Sequence, residues 1–161
     1  MAFGNELDYT GDLVSSLDDV DYYVYTTGEN VKLASAGTNL PGIAFEVLVP
    51  NSAPSRYTYA SLVWVPDMTG VTANTWSGYI DATATGKWGL TSSYELGTCG
   101  LKATLCTFDA ARAVLGNDAF ITSVAVTKGR DKAFQRAVDG LRINADTYDF
   151  EPFGVFKVGT S

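Results

Sequence analysis

The chain has no histidine among its 161 residues. That absence removes the Ser-His-Asp and Cys-His nucleophile systems and the commonest transition-metal ligand. Its two cysteines cannot supply a four-thiolate zinc site, and a mixed thiolate–imidazole site has no imidazole to use. No window approaches the roughly 18 consecutive apolar residues of a membrane-spanning helix, so no membrane insertion is expected. The phosphate-cradling patterns GxxxxGKS/T and GxGxxG are missing, as is any Asn-x-Ser/Thr sequon. The opening "MAFGNELDY" has neither a basic n-region nor an apolar h-region, so no signal peptide is visible in it. Positive charge is scarce: 11 Lys and Arg stand against 18 Asp and Glu, a net charge of -7. A nucleic-acid partner would need a basic face, and an anionic membrane would repel this balance.

The remaining composition is that of one globular domain spanning 1–161, with 46% hydrophobic and 18% charged residues. Three segments alternate with period two and are rich in β-branched and aromatic residues. "LDDVDYYVYTT" (17–27) sets Val20, Tyr22 and Val24 against Asp21, Tyr23 and Tyr25. "GIAFEVLVP" (42–50) sets Ile43, Phe45, Val47 and Val49 against Ala44, Glu46 and Leu48. "YTYASLVWVP" (57–66) sets Tyr57, Tyr59, Ser61, Val63 and Val65 against Thr58, Ala60, Leu62 and Trp64. Such alternation, bounded by Gly, Pro, Asn and Ser, predicts half-buried strands. Further strands are predicted at 75–82, 87–92, 120–129, 133–144 and 147–152. The stretch 28–40 reads as a loop or a weak strand.

One helix is predicted near 107–115. Thr107 is a suitable N-cap, Asp109 stands in the first turn, and Gly116 follows the end. Phe108, Ala111 and Leu115 fall on one face at helical spacing. About eight strands, one short helix and no βαβ rhythm predict an all-β antiparallel sandwich or barrel. Cys99 and Cys106 lie in "ELGTCGLKATLCTF". A loop-closing disulfide is geometrically easy there, and the alternative is two half-buried free thiols. The loop-like flanks favour the bridge, and a bridge favours an oxidising compartment.

The terminal stretch "ITSVAVTKGRDKAFQRAVDGLRINADTYDFEPFG" (121–154) resembles the closing part of bacterial secreted and cell-surface modules of the LamG-like, concanavalin-like jelly-roll kind. The resemblance extends through "DDVDYYVYTTG", "YASLVWVPD", "TWSGYIDATATGKWGLT" and "LCTFDAARAVL", so it covers most of the chain. It implies an antiparallel jelly-roll β-sandwich at the cell surface or secreted, with one more strand upstream of Met1. It also implies that the last strand pairs with an early one, Pro152 ending its ladder. Related jelly-roll modules carry an aspartate in an apolar-Asp-x-apolar pattern that helps hold a structural calcium. By that resemblance Asp139 is a metal ligand, with Glu6, Asp8 and Asp12 as companions. Calcium takes roughly six to eight oxygen ligands. The plainer alternative is an aspartate that accepts backbone N–H groups at a turn.

Sugars pack their C–H faces on flat rings and direct hydroxyls to carboxylates and amides. Trp76, Tyr79, Asp81, Trp88 and Asn74 form the expected glycan-binding set, with Tyr57, Tyr59, Trp64 and Glu46 as further candidates. Trp76 is the ring expected to be most exposed, because it follows the loop "TGVTANT". Burial in the core is the competing reading for each ring, and alternation already assigns Trp64 to it. Lys128, Arg130, Lys132 and Arg136 form either an anion site or a solvated loop. A glycosidase needs two carboxylates about 5–5.5 Å or ~6.5–9.5 Å apart, and nothing in the spacing of Glu46, Asp81 and Glu95 brings them together. The expected function is therefore a non-catalytic extracellular binding or adhesion module, its partner a glycan or a surface protein. A structural spacer and a carboxylate-dependent hydrolase are the alternatives.

Overall fold

The computed structural model describes residues 3–30, 38–51, 57–128 and 135–159. Strands β1 (Phe3–Asn5), β2 (Val20–Thr26), β3 (Gly42–Pro50), β4 (Tyr57–Val65), β5 (Thr75–Trp76), β6 (Ile80–Asp81) and β7 (Lys87–Leu90) precede the helix α1 (Phe108–Leu115). After it come β8 (Phe120–Thr127), β9 (Arg136–Ile143), β10 (Asp146–Glu151) and β11 (Gly154–Gly159). They form two antiparallel sheets, ordered β1-β8-β3-β4-β7 and β11-β10-β9-β2-β5, with β6 also pairing β2. The class is the expected one: all-β, consistent with a sandwich, with one α-helix among the described residues.

Contacts gather into two compact units, each built around one sheet. The first comprises Met1–Ser16, Gly42–Val65 and Gly86–Lys128, the second Leu17–Pro41, Pro66–Thr85 and Gly129–Ser161. Each unit is thus assembled from three separate stretches of a chain that sequence reading assigns to one domain.

In the first unit alternation decides which face is buried. Ile43, Phe45, Val47, Ala60, Leu62 and Trp64 are buried, whereas Ala44, Glu46, Leu48 and Val63 are only half-buried. Trp88 lies among the buried rings, against Phe45 at 6.3 Å and Phe108 at 4.9 Å between centroids. The helix supplies Phe108, and its first turn is closed as expected, the Ala110 N–H donating to Thr107 Oγ1. Cys99 and Cys106 are joined by a disulfide. The bridged loop lies on the half-buried face of the sheet: a Cβ at Gly89 would meet Leu105 Cδ2 at 2.7 Å and the Leu101 Cα at 2.9 Å. A glycine is therefore required at position 89 for the loop to sit there.

In the second unit Val20, Tyr22, Val24 and Thr26 are buried and Tyr23 and Tyr25 half-exposed, as the alternation predicts, but Asp21 is also buried. The expected terminal hairpin is present as β9–β10, turning at Asn144 in the left-handed region (φ 51°). Asn144 Oδ1 also accepts the Asp18 and Asp19 N–H groups at 2.8 and 3.2 Å, so this turn holds the entry to β2. Two features of that end differ from expectation. The chain does not leave the sheet after Pro152: Pro152 ends β10, a tight turn follows, and β11 pairs along all of β10. The strand that reaches back to an early partner is β9, which pairs β2, while the last strand stands at the sheet edge. A proline terminates a ladder because it has no N–H to donate, but it does not forbid a reversal immediately beyond.

Candidate functional site

The half-exposed face of the six-stranded sheet carries a group of rings and charges drawn from four strands. Asp21, Tyr23 and Tyr25 project from β2. Trp76 stands directly opposite Tyr25 and Asp81 directly opposite Asp21. Arg142 of β9 is the other cross-strand partner of Asp21.

Two irregularities aim these side chains. Between β5 and β6 the pairing with β2 slips by one residue. Ser77 keeps the junction: its N–H donates to the Val24 carbonyl at 2.9 Å and its hydroxyl accepts the Val24 N–H at 3.0 Å. The strand predicted over 75–82 is thus two short strands, and the kink between them presents Tyr79 to Tyr23, with ring centroids 3.9 Å apart. The second irregularity is a bulge on β9, where Gly140 and Leu141 together oppose Tyr22. Gly140 has φ 56°, and a Cβ there would meet Tyr23 Cδ2 at 2.8 Å and the Tyr79 hydroxyl oxygen at 3.3 Å. The bare glycine backbone forms the floor under the two tyrosines. Tyr25 and Trp76 form a second, tilted pair at 5.8 Å. Trp76 is 48% exposed and Tyr79 41%. Tyr23 and Tyr25 are two residues apart on one strand, so the two ring pairs are spaced by about 7 Å.

The polar groups follow the same geometry. The Arg142 guanidinium is paired with Asp21, its Nε donating to Oδ2 at 2.8 Å. Its carbon lies 5.0 Å from the centre of the Tyr79 ring, a cation–π arrangement. Burial pushes the Asp21 carboxyl above the usual aspartate range, outweighing the opposing pull of Arg142, and Asp81 and Asp19 add to the rise. The Tyr79 hydroxyl is also raised, first by burial and then by Tyr23. Asp81 Oδ1 accepts from the Thr83 N–H (2.8 Å), the Thr83 hydroxyl (2.6 Å) and the Ala84 N–H (3.1 Å). Its Oδ2 is left for other partners. Asn74 sits just before β5 at φ 61°, its N–H donating to the Thr26 carbonyl at 2.7 Å.

Of the five residues expected to bind glycan, Trp76, Tyr79, Asp81 and Asn74 belong to this unit, the first three on this face. Trp88 does not. It is 1% exposed and packed between Phe45 and Phe108 in the other unit, so it is a core residue and unavailable to a ligand. Sequence reasoning missed Tyr23, Tyr25, Asp21 and Arg142 as members. The alternation placed the first three together, but which face stays open is decided by pairing partners far along the chain.

The residues named for calcium are divided between the two units. Asp139 Oδ1 accepts the Gly140 N–H at 2.7 Å and the Phe150 N–H at 3.1 Å. The β9–β10 pairing runs from Asp146 to Tyr148, and beyond it the Asp139 carboxylate takes the Phe150 N–H and so ties the two strands together. Glu6, Asp8 and Asp12 belong to the other unit, and Asp8 accepts from Asn5 Nδ2 at 2.9 Å. Among the described residues no three His, Cys, Asp or Glu side chains gather where they could hold a metal ion. The Lys128–Arg136 segment falls largely outside the described residues, as does most of 28–40. Glu95 is paired with Lys102 at 2.8 Å, and no helix among the described residues is long and apolar enough to cross a membrane. Against known proteins, the chain matches no family model, no curated sequence and no solved structure.

Proposed function

We propose that the protein is a non-catalytic binding module for neutral glycans, of the LamG-like jelly-roll kind that its terminal motif resembles, working outside the cell. One observation carries this reading: two ring pairs, Tyr25–Trp76 and Tyr23–Tyr79, stand on one open sheet face with hydrogen-bonding groups beside them. A pyranose stacks its C–H face on such rings while Asp81 Oδ2 and the free guanidinium edge of Arg142 meet its hydroxyls. Asp19, Asp21 and Asp81 outnumber Arg142 around the site, which favours neutral over uronic or sulfated sugars. The disulfide is compatible with an oxidising compartment.

The test is a glycan array followed by titration of any neutral hit against Trp76→Ala and Tyr79→Ala. Both variants should keep the wild-type melting temperature within a few degrees and lose binding. A hit that both variants retain would remove this face from the reading. An array without any hit would favour the alternative, an assembly or spacer domain. That alternative has its own support in β11, an edge strand exposing Val155, Phe156 and Val158, with Phe153 97% exposed at its turn. Unpaired apolar edges invite strand addition, and a mass that rises with concentration in wild type but not in Phe156→Lys would establish it.

A further inference from the structure

The five-stranded sheet has an open face of its own, in the part that the disulfide loop does not cover. Tyr57 and Tyr59 project there from β4, 53% and 50% exposed. Leu48 of β3 lies between Tyr59 on one side and Phe120 on the other, and Phe120 meets Tyr57 edge-on at 5.4 Å. This apolar platform ends at a carboxylate, Glu46. A bulge at Thr122 of β8 stands opposite the step from Glu46 to Val47, with the Thr122 hydroxyl donating to the Glu46 carbonyl at 3.2 Å.

The Glu46 carboxylate is used on one side only. Oε2 accepts the Tyr59 hydroxyl and, at 2.9 Å, the Ser61 hydroxyl. The hydrogen bond to Glu46 is the main cause of a Tyr59 hydroxyl pushed above the usual tyrosine range. Among the described residues none donates to Oε1, and no Lys or Arg pairs with Glu46. Three other carboxylates among the described residues are paired with a cation of the chain, Asp21 with Arg142, Glu95 with Lys102 and Asp146 with Lys157, whereas Asp81 and Asp139, like Glu46, accept from neutral donors. Glu46 is thus held in place by neutral donors, one oxygen outward, at the rim of exposed rings on a protein of net charge -7.

We infer that this face is a second binding site, specific for a protonated amino sugar, whose C–H face lies on Tyr59 and Tyr57 and whose ammonium group pairs with Glu46 Oε1. The rings supply the stacking surface and attract a cation through their faces. The carboxylate supplies a charge-assisted hydrogen bond that a neutral sugar cannot match. The ligand class rests on the glycan reading above, but the site shares no residue with the Trp76–Tyr79 face.

Isothermal titration with a glucosamine tetramer, its N-acetylated counterpart and a tetralysine control tests the assignment. The glucosamine tetramer should bind and should lose about tenfold in affinity in Glu46→Gln, the effect of one charge-assisted hydrogen bond. Gln keeps an acceptor for Tyr59 and Ser61, so the fold persists. Trp76→Ala should leave that binding unchanged, and Glu46→Gln should leave any binding of the N-acetylated tetramer unchanged. No binding of the glucosamine tetramer to wild type overturns the inference. So does equal binding by Glu46→Gln, or tetralysine bound as tightly and with the same Glu46 dependence. Failure of the neutral-glycan reading shows instead in Trp76→Ala and Tyr79→Ala, which this site does not involve.

Discussion

The two open sheet faces solve one problem differently. Each presents tyrosines beside a carboxylate, and each lies at a β-bulge. On the six-stranded sheet Asp21 is buried and paired with Arg142, which in turn underlies Tyr79. On the five-stranded sheet Glu46 is steadied by two hydroxyls and keeps an oxygen outward. The first carboxylate is therefore committed to holding a cation of the chain's own, and the second is open to a cation from elsewhere. Burial sets the difference: a carboxylate out of water needs an internal counter-charge or must stay protonated, whereas one at a rim can leave its charge to solvent or ligand.

Breaking the comparison at its foundations should have the largest effect. Trp88→Ala removes a ring from the first unit's core and should cost about 4 kcal/mol, whereas Trp76→Ala on the open face should cost under about 1 kcal/mol. Chemical denaturation of the two variants measures the contrast, and similar losses would mean that Trp76 is not a surface ring.

Gly140→Ala should follow, at about 2–3 kcal/mol. A left-handed alanine is strained, and its Cβ must displace Tyr23. Tyr–Tyr contacts between rings 23 and 79 should weaken in its NMR spectra, while the Tyr57 and Tyr59 signals stay put.

Arg142→Ala should cost about 2 kcal/mol at neutral pH, the loss of charged hydrogen bonds to a buried group. The pH dependence has a definite sign. Asp21 already has a folded pKa above its unfolded value. Removing the guanidinium raises it further, so the folded state holds the proton more tightly. Stability of the variant then falls as pH rises from the unfolded pKa through the folded one. The penalty should be full at neutral pH and shrink toward pH 4, and a penalty constant across that range would show that Arg142 acts through packing alone.

Reducing the Cys99–Cys106 bridge should cost about 2 kcal/mol by loop-closure entropy, a fall of roughly 4–8 °C in melting temperature. The Glu46 face borders this loop, so glucosamine binding is the readout that should weaken with it, while binding at Trp76 holds. A small change is expected for Asp139→Ala, about 1 kcal/mol for the lost hydrogen bonds from Gly140 and Phe150. That cost should be the same with calcium as with a chelator; a difference would show Asp139 to be a metal ligand.

Much of this was legible beforehand, for identifiable reasons. Alternation at 42–50 and 57–65 assigned Phe45 and Trp64 to a buried face, because side chains on a strand must alternate. Thr107, Asp109 and Gly116 bounded the helix through local capping chemistry. Trp76 was placed at the surface by the loop before it. What was not legible required partners distant in sequence. The ring Trp88 stands on a short strand as Trp76 does, and packing against Phe45 and Phe108, both distant in sequence, buries it. The polar run around Asp21 gave no sign that Arg142, more than a hundred residues later, would neutralise it. The strand after Pro152 was hidden because a proline's local effect reads as an ending.

The amino-acid sequence by itself determined the long alternating strands, the helix and its caps, the bridging cysteines' proximity and the lack of imidazole chemistry, since these depend on neighbours a few residues apart. Only tertiary structure decided which ring is core and which is surface, which carboxylate receives an internal cation, and that Asp139 ties β9 to β10. Those outcomes depend on sheet order and on two bulges, which set the register between segments that no local pattern connects.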